Sequence, residues 1–214
     1  TLNRTEMEAW QKLIRVLTHE IMNSITPIIS LSDTLCERSS EGPLSESAQQ
    51  TLQQGLGIIH RRCKGLMEFV QNYRKLTRIA PPVKVPVGVN AFLKDLQRLV
   101  GGTDIRFTDD TPAGCVWHAD RAQMEQVFLN LLKNAREACR NCPEPEIIVR
   151  ANKQKERIIF TIKDNGEGIL PEVRERIFVP FFTTKPNGSG IGLSLCRQII
   201  TLHDGSILDR KSVV

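Results

Sequence analysis

A chain of 214 residues exceeds the ~100–200 residues of one ordinary domain, so it holds one large domain or two small ones. Its 40% apolar and 5% aromatic content, against an ordinary apolar share of ~45–50%, fits an elongated or helical-hairpin part and speaks against disorder. No apolar run approaches the ~18 residues of a membrane span, and the net charge of +5 is spread along the chain, not gathered into the aromatic-laced basic stripe of a nucleic-acid binder.

From Trp10 to Leu35 the apolar residues repeat every seven positions. Ile14, Ile21, Ile28 and Leu35 form one row, Trp10, Leu17 and Leu31 the other, with Ser24 the exception. That is the seam of a coiled coil. After a break over Ser39 to Ser45 the repeat resumes as Leu52, Ile59, Leu66 and Tyr73 beside Leu56, Cys63, Val70 and Thr77. Two long helices joined by a short loop make an antiparallel hairpin, and because a lone hairpin buries too little, two chains are expected to pair into a four-helix bundle. Ala80-Pro81-Pro82 ends the second helix.

A linker over 81–86 is expected next, and then a mixed α and β texture. The pattern predicts a helix from Asn90 to Leu99, strands near Ile105 to Thr108 and Cys115 to His118, and a helix from Arg121 to Arg140. Strands follow at Ile147 to Ala151 and Ile158 to Lys163, with two short helices after Pro171 and Ser189. The six cysteines lack paired metal-type spacing. The one C-x-x-C, Cys139 to Cys142, has no second half and no flanking histidine, and reads as reduced thiols.

Four segments carry chemistry. The first is His19-Glu20-Ile21-Met22-Asn23-Ser24-Ile25-Thr26-Pro27. With Ile14 and Ile21 on the seam, His19 faces away from it and Asn23 shares that outer face one turn on, while Pro27 is expected to loosen or kink the helix. Alone, such a histidine is an ordinary surface residue; beside Glu20, which can hold one ring proton, it can act as a nucleophile. The second is the helix with Asn130 and Asn134 four apart, where a carboxamide oxygen is a suitable hard ligand for Mg²⁺. The third is Asp164-Asn165-Gly166-Glu167-Gly168-Ile169 at a strand end, where spaced glycines admit a flat ligand and an ionised carboxylate can accept from an exocyclic amine such as adenine's. The fourth runs from Phe178 through Phe181, Phe182 and Lys185 to Gly188-Ser189-Gly190-Ile191-Gly192-Leu193, whose alternating glycines before a helix suit phosphate on backbone N–H groups.

In this order the four segments resemble the H, N, G1, F and G2 boxes of bacterial two-component sensor histidine kinases, over about residues 8–207. The nucleotide-binding half of that family shares an ATPase superfamily with gyrase, Hsp90 and MutL. The resemblance implies a HisKA-type dimerisation and phosphotransfer hairpin over 1–80, the linker over 81–86 and a catalytic ATP-binding domain over 87–214. The fold class expected is thus an all-α hairpin followed by an α+β sandwich of Bergerat type, a mixed sheet faced by helices. The family would make His19 the phospho-acceptor, Glu20 its orienting or general-base partner, and Asn23 the residue that positions water for phosphatase chemistry. It would make Asn134 the main Mg²⁺ ligand with Asn130 near the phosphates, and Asp164 the adenine contact. Gly166, Gly168 and Ile169 shape the adenine pocket, and Gly188, Gly190, Gly192 and Leu193 flank the phosphates.

The short stretch from Lys185 to Gly188 implies a compact lid, similar to that of nitrogen-regulation sensor kinases. Positions 135–138 lack the Lys-Tyr that many relatives carry, which leaves Lys185 and Arg136 as alternatives for the basic group at the phosphates. The chain stops before the usual Gly-Thr-x-Phe, so a shortened C-terminal strand is expected. ATP and Mg²⁺ are the expected cofactors, and a second copy of the chain and a response regulator the expected partners. This piece is expected on the cytoplasmic side, the whole protein in the bacterial inner membrane through a sensor region before Thr1. The Ser39–Ser45 loop would set whether transfer is within or between protomers. No G-x-x-x-x-G-K-[ST] loop and no H-R-D loop is present, which sets aside other kinase architectures. His19 argues against a clamp ATPase, and the intact asparagines, Asp164 and glycines against a pseudokinase scaffold.

Overall fold

The computed structural model describes residues 4–40, 45–185 and 188–209; the side chains of 4–16, 20 and 38–40 lie outside the described residues. The chain divides into two compact units, Thr1–Thr77 and Arg78–Val214.

The first unit is a pair of long helices, α1 (Arg4–Ser40) and α2 (Glu46–Thr77), packed on each other. They pack tightly at Gly55, where an added Cβ would stand 2.9 Å from Leu35 Cδ1. Seam residues Leu17, Ile21, Ile28, Leu31, Leu52, Ile59, Leu66 and Tyr73 are half-buried and Leu35 is buried. The second row of α2 is different: Leu56, Cys63, Val70 and Thr77 are exposed within one chain. Helix α1 runs unbroken through Pro27, and α2 stops at Thr77, three residues before the Ala-Pro-Pro that was to end it. The Ser39–Ser45 loop lies mostly outside the described residues. No helix of the described residues is long and apolar enough to cross a membrane.

The second unit runs β1 (Val85–Gly88), α3 (Val89–Val100), β2 (Ile105–Asp110), β3 (Val116–Ala119), α4 (Arg121–Ala138), β4 (Ile147–Gln154) and β5 (Arg157–Asp164). A 3-10 helix (Pro171–Arg176) and α5 (Gly192–Leu202) complete it. β1 pairs antiparallel with β3, while β2 lies parallel to β4 and β4 antiparallel to β5. Alternation on β4 buries Ile147, Val149 and Ala151. Buried with them are Phe92, Leu93 and Leu96 of α3, Val127, Phe128 and Leu132 of α4, and Leu195, Cys196 and Ile199 of α5. A cluster of Phe92, Trp117, Phe128 and Phe160, with ring centroids 4.9–6.5 Å apart, fills one end of this core. This is a mixed sheet faced by helices.

Strand β1 begins inside the stretch expected to be a linker. Four residues with a proline give no readable alternation, and Pro86 is tolerated because β1 has a single neighbour in the sheet. Asp120, the N-cap of α4, accepts from Gln123 N–H at 3.1 Å and from Val83 N–H at 3.0 Å, so the same carboxylate starts the helix and fastens the segment before β1. These backbone bonds hold its carboxyl below the usual range.

Candidate functional site

In the first unit His19 is exposed on α1 and its Nδ1 lies 2.9 Å from Nδ2 of Asn23. An asparagine amide can serve either tautomer of the ring. Turned with its oxygen to the imidazole it accepts from Nδ1–H, and the Nε2 lone pair then points outward. Pro27 has no N–H for the Asn23 carbonyl four residues back, so the helix lacks one backbone hydrogen bond beside the histidine. The Glu20 side chain lies outside the described residues.

In the second unit three loops meet one helix. Asn130, Asn134 and Ala138 stand four apart on α4 and share a face. At Asn130 the start of α5 comes close, where an added Cβ on Gly192 would lie 3.9 Å from Asn130 Oδ1. Behind it the buried Cys196 thiol donates to the Val127 carbonyl at 3.6 Å, and burial pushes that thiol up to about 12. Next along α4, Glu137 forms an ion pair with Lys185 and has Lys133 Nζ 3.9 Å away on its other oxygen. The Lys185 bond holds its carboxyl below the ordinary value. At Ala138 the loop after β5 touches down, and a Cβ on Gly166 would stand 2.6 Å from the Ala138 carbonyl carbon. Only glycine fits there.

Asp164, half-buried at the end of β5, accepts from Gly166 N–H at 3.0 Å and keeps its other oxygen available. Gly168 takes the left-handed backbone (φ +74°), and Ile169 is exposed. Asn165, to which the sequence assigns no role of its own, fastens the loop. Its amide donates to the Glu144 carbonyl at 2.8 Å and accepts from Glu146 N–H at 2.9 Å.

The remaining glycines sit on the lid. Gly190 has φ +66°, and a Cβ there would stand 2.4 Å from the Phe181 carbonyl carbon; Phe181 is itself left-handed at φ +63°. Gly188 packs on the Thr183 hydroxyl, which accepts from Lys185 N–H at 3.0 Å. Arg176 lies over the Phe182 ring, 4.4 Å from its centroid, and steadies the segment before the lid. Pro186 and Asn187 lie outside the described residues. The α5 cap, Ile191, offers no side-chain acceptor, so the first N–H groups of the helix, at Gly192 and Leu193, have no side chain capping them.

One sequence alternative is corrected. Arg136 does not face these loops. Its guanidinium is taken by Asp104, at 2.7 and 2.8 Å, and by the Val100 and Gly101 carbonyls. An arginine on a helix flank can lie to either side, and the carboxylate of Asp104 with two free carbonyls at the end of α3 draws it away. Lys185 is the basic group beside the lid. The roles of Glu137, Asn165 and Phe181 go beyond the sequence reading; the i, i+4 spacing of Lys133 and Glu137 is a signal that could have found the first, whereas nothing in the sequence marks Phe181 as left-handed.

The donor set fits a magnesium nucleotide: a carboxamide at Asn134, uncapped helix N–H groups at Gly192 and Leu193, and loops that only glycine can fill.

Residues 119–212 match the family described as histidine kinase-, DNA gyrase B-, and HSP90-like ATPase. The nitrogen regulation protein NtrY of Azorhizobium caulinodans is 29% identical over 206 residues, 93% of this chain and 26% of that protein. The sensory histidine kinase/phosphatase NtrB of Rhizobium leguminosarum is 30% identical, over 92% of this chain and 58% of its own length. The chain therefore spans about a quarter to a little over half of these relatives. A solved complex of the histidine kinase ThkA with the response regulator TrrA superposes with a TM-score of 0.57 at 22% identity, covering 94% of this chain and 57% of that one.

Proposed function

We propose that the chain is the catalytic core of a sensor histidine kinase and that it moves the γ-phosphoryl group of ATP to His19 and then to an aspartate of a response regulator. What carries the reading is the convergence on α4. Within nine residues that helix meets the G2 loop at Asn130, Lys185 of the lid at Glu137 and the Asp164 loop at Ala138. Asp164 accepts from the adenine amine beside Gly166, Gly168 and Ile169. Gly190, Gly192 and Leu193 present backbone N–H groups to the phosphates and Gly188, whose own N–H bonds the Lys185 carbonyl at 3.1 Å, flanks them, with Asn130 alongside and Lys185 able to leave Glu137 for them. Asn134 holds Mg²⁺, which when bound neutralises phosphate charge.

His19 supplies the nucleophile through Nε2, with Asn23 or Glu20 keeping the proton on Nδ1. Asn23 further positions a water against the regulator's aspartyl phosphate, which gives the chain a phosphatase activity. Residues 1–77 act as the phosphotransfer and dimerisation part and 78–214 as the ATP-binding domain, which takes in the 81–86 stretch through β1 and the Val83–Asp120 bond. The exposed row Leu56, Cys63, Val70 and Thr77 is the face a second copy covers in a four-helix bundle. The whole protein is anchored in the bacterial inner membrane with this part in the cytoplasm.

Incubation with [γ-³²P]ATP and Mg²⁺ tests the reading: label that is acid-labile and alkali-stable is expected on His19, and removal of Mg²⁺ by EDTA is expected to abolish it. Label that resists acid, or that survives His19→Gln, would overturn it.

A further inference from the structure

Cys139 caps the C-terminus of α4, and Cys142 follows in a turn closed by its N–H on the Cys139 carbonyl at 2.9 Å. Such a turn holds its first and fourth Cα atoms within about 7 Å, which overlaps the roughly 4.4–6.8 Å that a disulfide spans. Both thiols address one residue. Cys139 Sγ donates to Asn165 Oδ1 at 3.4 Å, and Cys142 Sγ to the Asn165 carbonyl at 3.3 Å. Asn165 sits between Asp164 and Gly166, and Gly166 is seated on Ala138, the residue before Cys139.

We propose that Cys139 and Cys142 are a redox-responsive dithiol: oxidation by a low-molecular-weight disulfide joins them and loosens the Asp164–Gly168 loop, weakening nucleotide binding. The proposal rests on the reading of that loop as the adenine pocket. Half-buried Cys142 reacts first, its thiolate attacking one sulfur of the small disulfide and releasing one small thiolate. Cys139 is 3% exposed, and burial with the nearby Asp164 carboxylate pushes its thiol up, so it acts second. Its thiolate attacks Cys142 Sγ and expels the second small thiolate. Two protein thiols and one small disulfide thus become one protein disulfide and two small thiols, with two electrons passing to the oxidant and both protons ending on the leaving thiols. A disulfide sulfur has no proton to donate. Both acceptors on Asn165 therefore lose their sulfur donors at once, and closing the bridge pulls the 139–142 turn toward itself.

The test treats the reduced protein with oxidised glutathione. Peptide mapping is expected to show a bridge between Cys139 and Cys142, distinguishable from pairing of Cys36 or Cys63. Amide hydrogen exchange at 164–168, measured without nucleotide, is expected to speed up on oxidation and to return with dithiothreitol. ATP affinity by calorimetry is expected to fall at least tenfold and to recover in the same way, while Cys142→Ser keeps its affinity in oxidant. Glutathione on Cys142 with Cys139 still a free thiol would overturn the proposal, as would a bridged protein with unchanged exchange at 164–168. If the reduced protein binds no ATP, the nucleotide reading falls, and the exchange measurement still decides whether the dithiol controls the loop.

Discussion

The two units carry their chemistry in opposite ways. In the hairpin, His19 and Asn23 lie on the outer face of one helix, touch each other and take no part in the seam with α2. In the second unit the polar residues are inseparable from packing: Gly166 admits no side chain because Ala138 occupies that space, and Gly190 none because Phe181 does. A histidine on an outer helix face is available to two large partners in turn and needs no pocket of its own. A nucleotide site has to enclose its ligand, so it is built where loops close on a helix. Substitutions should therefore separate chemistry from stability in the first unit and couple them in the second.

The sharpest separation is expected at His19. His19→Gln should abolish phosphorylation while leaving ATP affinity and thermal stability as they were, which labelling, calorimetry and melting check together. A parallel loss of stability would break the comparison. Coupling is expected to be strongest at Gly190. Gly190→Ala forces a Cβ against the Phe181 backbone at φ +66°, so it should destabilise the second unit by about 2–4 kcal/mol and reduce ATP binding with it. Denaturant unfolding followed at Trp117 reads this.

At Asp164 the effect is narrower. Asp164→Asn keeps an acceptor without its charge and should cost ~1.5–3 kcal/mol of ATP affinity, a ten- to hundredfold weaker Kd, by calorimetry. In the hairpin, Asn23→Ala should slow dephosphorylation of the regulator at least tenfold. It should change autophosphorylation by less than about fivefold, because an exposed hydrogen bond to the ring is worth only about 1 kcal/mol. Equal phosphatase rates for the two proteins would remove the role.

The smallest expected effect is a slope with pH. The carboxyls of Asp104, Asp120 and Glu137 are held low by Arg136, by backbone N–H groups and by Lys185. Their contribution to stability is complete above the ordinary carboxylate range near about pH 4 and drains away as pH falls through their lowered native values. Unfolding of the second unit measured from pH 6 to pH 3 should show this loss, and Asp104→Asn should make it shallower.

Much of this was legible in the sequence, for identifiable reasons. The helices α1, α2 and α4 carry long apolar periods, and β4 and β5 alternate over enough residues to declare themselves. Asn130 and Asn134 stood out because amides cost helix propensity and sat at helical spacing. β1 did not, since four residues including Pro86 hold no period. The direction of Arg136 could not be read because its partner, Asp104, lies thirty-two positions away. Asn165 carries no signal of its own in the sequence. Its importance lies in the Glu144 and Glu146 backbone, which only the folded loop brings to it.

The parallel pairing of β2 with β4 has a consequence for the order in which this unit folds. β4 and β5 are joined by Lys155 and Glu156 alone and can close as a local hairpin. The match of Ile105 with Ile147 instead encircles β3 and the whole of α4, so the entropy of a long loop falls on that one step. Truncating Leu132, buried inside that loop, should therefore slow folding more than an equal loss of stability at the β4–β5 hairpin would. A newly made chain would then commit to the helix beneath its nucleotide loops in the same event that completes its sheet.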